Sequence, residues 1–146
     1  MLGRNIPYQP TAGTNLNHAE LVSTKIAVNM VKRSKSPLLI LGQNGGEASK
    51  YLEDLNIEKI HTPRDMNLLD AMKKIAKEKK HDLVLFMGIK YYYLAQAISY
   101  LKHFSDTTTM TLDGKYHPNA NYSLPNMEDV EHVEAIKRFK MLLSNP

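Results

Sequence analysis

Leu83-Val84-Leu85-Phe86-Met87-Gly88 is the stretch on which the fold turns. Five consecutive apolar residues closed by glycine read as a strand buried on both faces, as a parallel sheet covered by helices requires. A second run of the same kind, Leu38-Leu39-Ile40-Leu41-Gly42, follows Pro37, which ends the helical register before it. Around these two strands the periods alternate. Ser23 is placed to cap a helix running to about Ser34, with Ile26, Ala27, Met30 and Val31 as its apolar stripe. The turn Gln43-Asn44-Gly45-Gly46 leads to a helix over about 47–55, and a short strand follows at about 57–60. Asn67 starts the next helix, with Leu68, Met72, Ile75 and Ala76 inward.

After Gly88 a helical wheel puts Leu94, Ile98 and Leu101 on one face and Tyr91 with Ala95 at its edge. Tyr93 and Tyr100 project from nearly the opposite side. Residues 107–112 are β-branched and alternate, so they read as a strand. Asn126, three residues before Asp129, predicts the cap of a last helix carrying Val130, Val133, Ile136, Phe139 and Leu143. The alternation of helix and strand predicts an α/β domain with a mostly parallel sheet between two helical layers. Residues 1–20 show neither period and read as an extended arm, with Tyr8 and Ile6 as its anchor. Residues 21–146 read as one domain.

The composition narrows the chemistry. With 146 residues the chain can bury a full core without a staple, and it contains no cysteine, which excludes thiolate metal clusters and a cysteine nucleophile. No apolar run approaches the ~20 residues needed to span a bilayer. The first residues lack the apolar core of a secretory signal, so a cytoplasmic location without membrane attachment is expected. A net charge of +4 raises nucleic acid as a partner. The densest basic run, residues 73–80, has apolar residues at helical spacing between its lysines, so a solvated helix face is the preferred reading and no nucleic-acid partner is expected.

Six of the eight tyrosines fall between Tyr91 and Tyr122. They follow two strands whose carboxyl ends, in an open α/β sheet, border the usual ligand crevice. At Gly88-Ile89-Lys90-Tyr91, glycine allows close approach, Lys90 offers a cation and the helix N-terminus adds positive potential, so an anion or nucleotide is a candidate ligand. Asp113-Gly114-Lys115-Tyr116-His117-Pro118-Asn119-Ala120 supplies every polar type in eight residues, with Asp113-Gly114 first of all a turn signal. The turn after Gly42 matches neither a P-loop nor the dinucleotide fingerprint. No histidine has metal-ligand spacing and no serine sits in a nucleophile elbow, so neither a metal site nor a catalytic residue is expected. Glu128, Glu131 and His132 share a helix and read as its solvated surface. The candidate cofactor contacts are therefore Gly42, Gly88, Lys90, Tyr91, Asp113 and His117.

Three segments, Ser36-Pro37-Leu38-Leu39-Ile40-Leu41-Gly42, Leu85-Phe86-Met87-Gly88-Ile89-Lys90-Tyr91-Tyr92, and Leu101 to Ser105 running on to Tyr116-His117-Pro118-Asn119-Ala120-Asn121-Tyr122-Ser123, together carry a likeness. They resemble the epsilon-subunit family of the archaeal acetyl-CoA decarbonylase/synthase complex. The likeness spans about 23–143 and is most specific over 85–123. Between Gly42 and Asp82 the chain is shorter than the family pattern.

The resemblance implies a three-layer Rossmann-like fold, similar to the NAD/FAD-binding-like middle domain of thiamine-diphosphate enzymes. It also implies a non-catalytic accessory subunit that stabilises the carbon monoxide dehydrogenase component and assists electron transfer to FAD. The partner so implied is the large catalytic (alpha) subunit, two of each, in methanogenic or autotrophic one-carbon metabolism. The alternative is a stand-alone flavin- or dinucleotide-binding module. Tyr93, Tyr100 and the N-terminal arm are the expected partner surface.

Overall fold

The computed structural model describes residues 19–144. Six strands form one sheet: β1 (Glu20–Leu21), β2 (Pro37–Leu41), β3 (Glu58–His61), β4 (Leu83–Met87), β5 (Thr108–Thr111) and β6 (Tyr122–Ser123). Their order across the sheet is β1-β6-β5-β4-β2-β3, and every pair is parallel. The α-helices among the described residues are α1 (Thr24–Arg33), α2 (Ser49–Glu53), α3 (Leu68–Glu78), α4 (Tyr91–Phe104) and α5 (Asp129–Ser144), with a 3-10 turn at Gly46–Ala48 before α2. None of the described helices is long and apolar enough to cross a membrane.

The strand alternation divides the core in two. Leu39, Leu41, Leu83, Leu85 and Met87 face a layer made by α1, α2 and α5, whereas Leu38, Ile40, Val84 and Phe86 face α3 and α4. Such fully buried side chains each contribute roughly 1.5–3 kcal/mol. This is the expected three-layer, Rossmann-like arrangement, and its sheet is wholly rather than mostly parallel. Ser23 caps α1, its hydroxyl accepting from the Ile26 N–H at 3.3 Å. Asn67 caps α3 in the same way, accepting from Asp70 N–H at 2.8 Å.

Several local expectations are corrected. On α1, Ile26 is half-exposed and Val28 is buried instead, because the helix presents Ala27, Val28 and Val31 to the sheet. Asn126 does not cap α5: its side-chain oxygen accepts from the Tyr116 N–H at 2.8 Å and so ties two loops together. Val130 points into solvent. The helix expected over 47–55 is a 3-10 turn followed by five residues of α-helix.

Strands β1 and β6 were not among the expected elements, since two-residue strands carry no period. Apart from Ala19 and Glu20, the expected arm, Tyr8 and Ile6 included, lies outside the described residues. At its boundary, Tyr116 Oη donates to the Ala19 carbonyl at 2.6 Å, fixing the chain entering β1 beside the loop before β6.

Candidate functional site

From β2 the chain moves outward to β3 and then crosses back to β4 on the other side of β2, so the topological switch lies between β2 and β4. Ligands of open α/β sheets bind at the carboxyl ends of strands at such a point. The two loops there are bound to each other. Gly42 N–H donates to the Met87 carbonyl and Asn44 N–H to the Gly88 carbonyl, both at 2.8 Å. Gly88 has φ +80°, and its own N–H donates to Asp113 Oδ1 at 2.9 Å. A Cβ on Gly88 would lie 2.7 Å from Gly45 N and 2.9 Å from Gly42 O. The glycine is thus required by backbone packed against backbone. Gly42 meets the same constraint from the other side, where a Cβ would run into the Gly88 carbonyl.

The crevice opens as two clefts that share Asn44 and Ile89 in their walls. The larger, about 630 Å³, takes in Tyr91, Asp113 and His117. The smaller, about 390 Å³, takes in Gly42, Gly88, Lys90 and Tyr93. The six candidate residues therefore gather at one end of the sheet but divide three and three. Lys90 is solvent-exposed at the N-terminus of α4 and makes no side-chain cap.

His117 is the least ordinary residue of the larger cleft. It is 3% exposed, packs against Tyr91 with ring centroids 4.4 Å apart and ring planes tilted by 32°, and has no hydrogen-bond partner on either ring nitrogen. Burial pushes its pKa below the usual histidine value; the Tyr91 backbone draws it back without reaching hydrogen-bond geometry, and Lys102 adds to the lowering. The ring is positioned from the backbone, where His117 N–H donates to Ser123 Oγ at 3.1 Å. Asp113 moves the other way. Burial pushes its carboxyl up, opposed by the Gly88 N–H and by nearby His132. His132 Nε2 lies 2.7 Å from the Leu112 carbonyl and must be the donor there.

Sequence reasoning missed Glu47 and Asp129, which with Asp113 set three carboxylates against Lys115 on the walls of this cleft. The signal for Glu47 was its place at the first turn after Gly45-Gly46. His132, read as solvated surface, is a wall residue as well. The donor set does not fit FAD or another dinucleotide. Tyr91 could stack on a flat ring, but the pyrophosphate would face those carboxylates. The Gly88 and Asn44 N–H groups beside it are already taken. Among the described residues no group of three or more His, Asp or Glu side chains could hold a metal ion.

The tyrosines on α4 differ from the helical-wheel expectation. Leu94, Ile98 and Leu101 are buried as expected, but Ala97 is buried too, which rotates the core face toward Tyr100. Tyr100 is half-buried and packs on Phe104 at 4.7 Å, so it is not an outward residue. The outward ones are Tyr92, 81% exposed, and Tyr93, 58%, with Tyr91 at 47% on the cleft wall.

A family model described as CO dehydrogenase beta subunit/acetyl-CoA synthase epsilon subunit matches residues 3–143. The chain is 44% identical over 140 residues to an acetyl-CoA decarbonylase/synthase complex subunit epsilon of Methanocaldococcus jannaschii, covering 92% of this chain and 95% of that one. It is 31% identical to the subunit of the same name in Methanothermobacter thermautotrophicus, covering 92% and 94%. With a subunit epsilon 1 of Archaeoglobus fulgidus the identity is 28%, over 75% of each chain.

Proposed function

Because the chain belongs to the CO dehydrogenase beta subunit/acetyl-CoA synthase epsilon subunit family, we propose that it serves as an epsilon subunit of an acetyl-CoA decarbonylase/synthase complex. In this role it carries no chemistry of its own and stabilises the large (alpha) subunit of the carbon monoxide dehydrogenase component, two copies of each, in the cytoplasm. The observation that carries the reading is the run Tyr91-Tyr92-Tyr93, presented to solvent at the mouth of both clefts. Each tyrosine offers about 150–250 Å² of rigid surface with a polar tip, the residue type enriched at the cores of protein interfaces. The test is co-expression of the large subunit with and without this chain. The reading expects a higher melting temperature of the large subunit when the chain is present, and an unchanged one would overturn it.

A flavin-linked role is not favoured. The six contacts named from the sequence, Gly42, Gly88, Lys90, Tyr91, Asp113 and His117, would have to be shared by one ligand, yet they are split between two clefts.

A further inference from the structure

The larger cleft holds two features that the docking tyrosines do not use. The first is a local excess of negative charge on a chain whose net charge is +4, contributed by Glu47, Asp113 and Asp129 against Lys115. The second is independent of it: His117, 97% buried by its 3% exposure, with both ring nitrogens unpartnered and its side chain on the cleft wall. Leaving a buried polar group unsatisfied costs roughly 1–3 kcal/mol, so such a group in a native fold calls for a partner that completes it.

The partner's chemistry follows from what the wall offers. Burial favours the neutral form of the His117 imidazole, in which one ring nitrogen carries N–H and the other a lone pair, and it is the lone pair that a donor-only partner would complete. Asp113 has spent one oxygen on Gly88 N–H. Its other oxygen, together with the Glu47 and Asp129 carboxylates, adds acceptors. Tyr91, tilted against His117 and half-exposed, adds an aromatic ring. Acceptors, negative charge and an aromatic plane together suit a planar cation with several donors, which is a guanidinium. A phosphate or carboxylate ligand would be repelled.

We propose that this cleft receives an arginine side chain of a partner polypeptide, its guanidinium set against Tyr91 and donating to His117 and to the carboxylates of the wall. The proposal rests on the subunit reading, and it gives the tyrosine surface a charged anchor beside it. Aromatic anchors and arginine are the residue types that dominate binding energy at protein interfaces.

Two measurements on the full chain test it. N-acetyl-arginine amide is titrated in solution while the ring signals of His117 and Tyr91 are followed by NMR, with N-acetyl-citrulline amide as the uncharged isostere. A saturable shift with the arginine probe alone is expected, and it should weaken about tenfold in a Glu47→Gln/Asp129→Asn variant. His117→Phe, which keeps a ring against Tyr91 and removes the acceptor, should also weaken it. No saturable shift up to tens of millimolar, or an equal response to citrulline, would overturn the proposal. The second measurement is association of the chain with the large subunit. Glu47→Gln/Asp129→Asn is expected to weaken it about tenfold, and more strongly at low salt.

If that variant binds as tightly as wild type while a Tyr92→Ala/Tyr93→Ala variant does not, the arginine site is refuted and the subunit reading stands. Probe binding without any effect on association would assign the cleft to a free small cation and refute the polypeptide as its source. If the wild-type chain does not associate at all, the subunit reading fails and the proposed partner fails with it, whatever the probe titration shows.

Discussion

Replacing Gly88 by alanine should destabilise the fold by about 3 kcal/mol, through a mechanism that a neighbouring glycine allows one to separate. Two costs add. At φ +80° an L side chain costs roughly 1–2 kcal/mol. The new Cβ would then sit 2.7 Å from Gly45 N and 2.9 Å from Gly42 O, backbone atoms that no side-chain rotation can move. Relieving that contact requires the two loops to part, at the expense of the Gly42–Met87 or Asn44–Gly88 hydrogen bond, about 1 kcal/mol each. Gly46 is the control, because it too has a positive φ, +59°, but nothing lies within 4 Å of a Cβ built there. Gly46→Ala should therefore lose only the conformational part. Urea unfolding measures both. With a slope of about 1–3 kcal/mol per molar, Gly88→Ala should lower the midpoint by about 1–3 M, and Gly46→Ala by well under that. Equal losses in the two variants would refute the loop-packing argument, and so would a loss in Gly88→Ala below about 1 kcal/mol.

Two predictions concern pH. The Asp113 carboxyl is raised above its ordinary value of 3.8, chiefly by burial, so the folded state holds its proton more tightly than the unfolded state does. Stability should then fall as pH rises from 3.8 through the folded value. Asp113→Asn, which keeps an oxygen for Gly88 N–H, should be at least as stable as wild type at neutral pH and lose that advantage near pH 4. Midpoints of urea unfolding across that range check it, and a variant less stable at neutral pH contradicts it. His117 is lowered below its ordinary 6.5, again chiefly by burial, so its contribution is present above 6.5 and is lost as pH falls through the folded value. The His117 ring signals in a proton NMR titration should show a midpoint below 6.5, and a midpoint at or above 6.5 contradicts the burial argument.

Much of the scaffold was legible because its signals are local. Five apolar residues before Gly88 and four before Gly42 dictate strands buried on both faces, and Ser23 and Asn67 cap helices with side chains three residues from the N–H groups they bind. What was not legible depends on residues remote in sequence. β1 and β6 pair with each other and are too short to show a period, and the Tyr116–Ala19 bond spans most of the chain. Asn126 had the spacing of a cap, but tertiary structure gave it Tyr116 instead. Tyr100 looked outward on a wheel centred on Leu94. The burial of Ala97 rotates that wheel, and the α3–α4 packing covers one side of the ring. Of the site, Tyr91, Asp113 and His117 were named from loop position alone. Their division from Lys90 was hidden, because it follows from Asn44 and Ile89 standing between the two clefts.

As a docking subunit, the chain is proposed to make its contact through Tyr92 and Tyr93. The most direct test is the dissociation constant for the large subunit, measured for wild type and for Tyr92→Ala/Tyr93→Ala. Both residues are exposed, so the substitution should leave the urea midpoint within about 0.5 kcal/mol of wild type. The account predicts a rise in Kd of about tenfold or more, the scale of lost aromatic anchors at an interface. An unchanged Kd with the fold intact would contradict it.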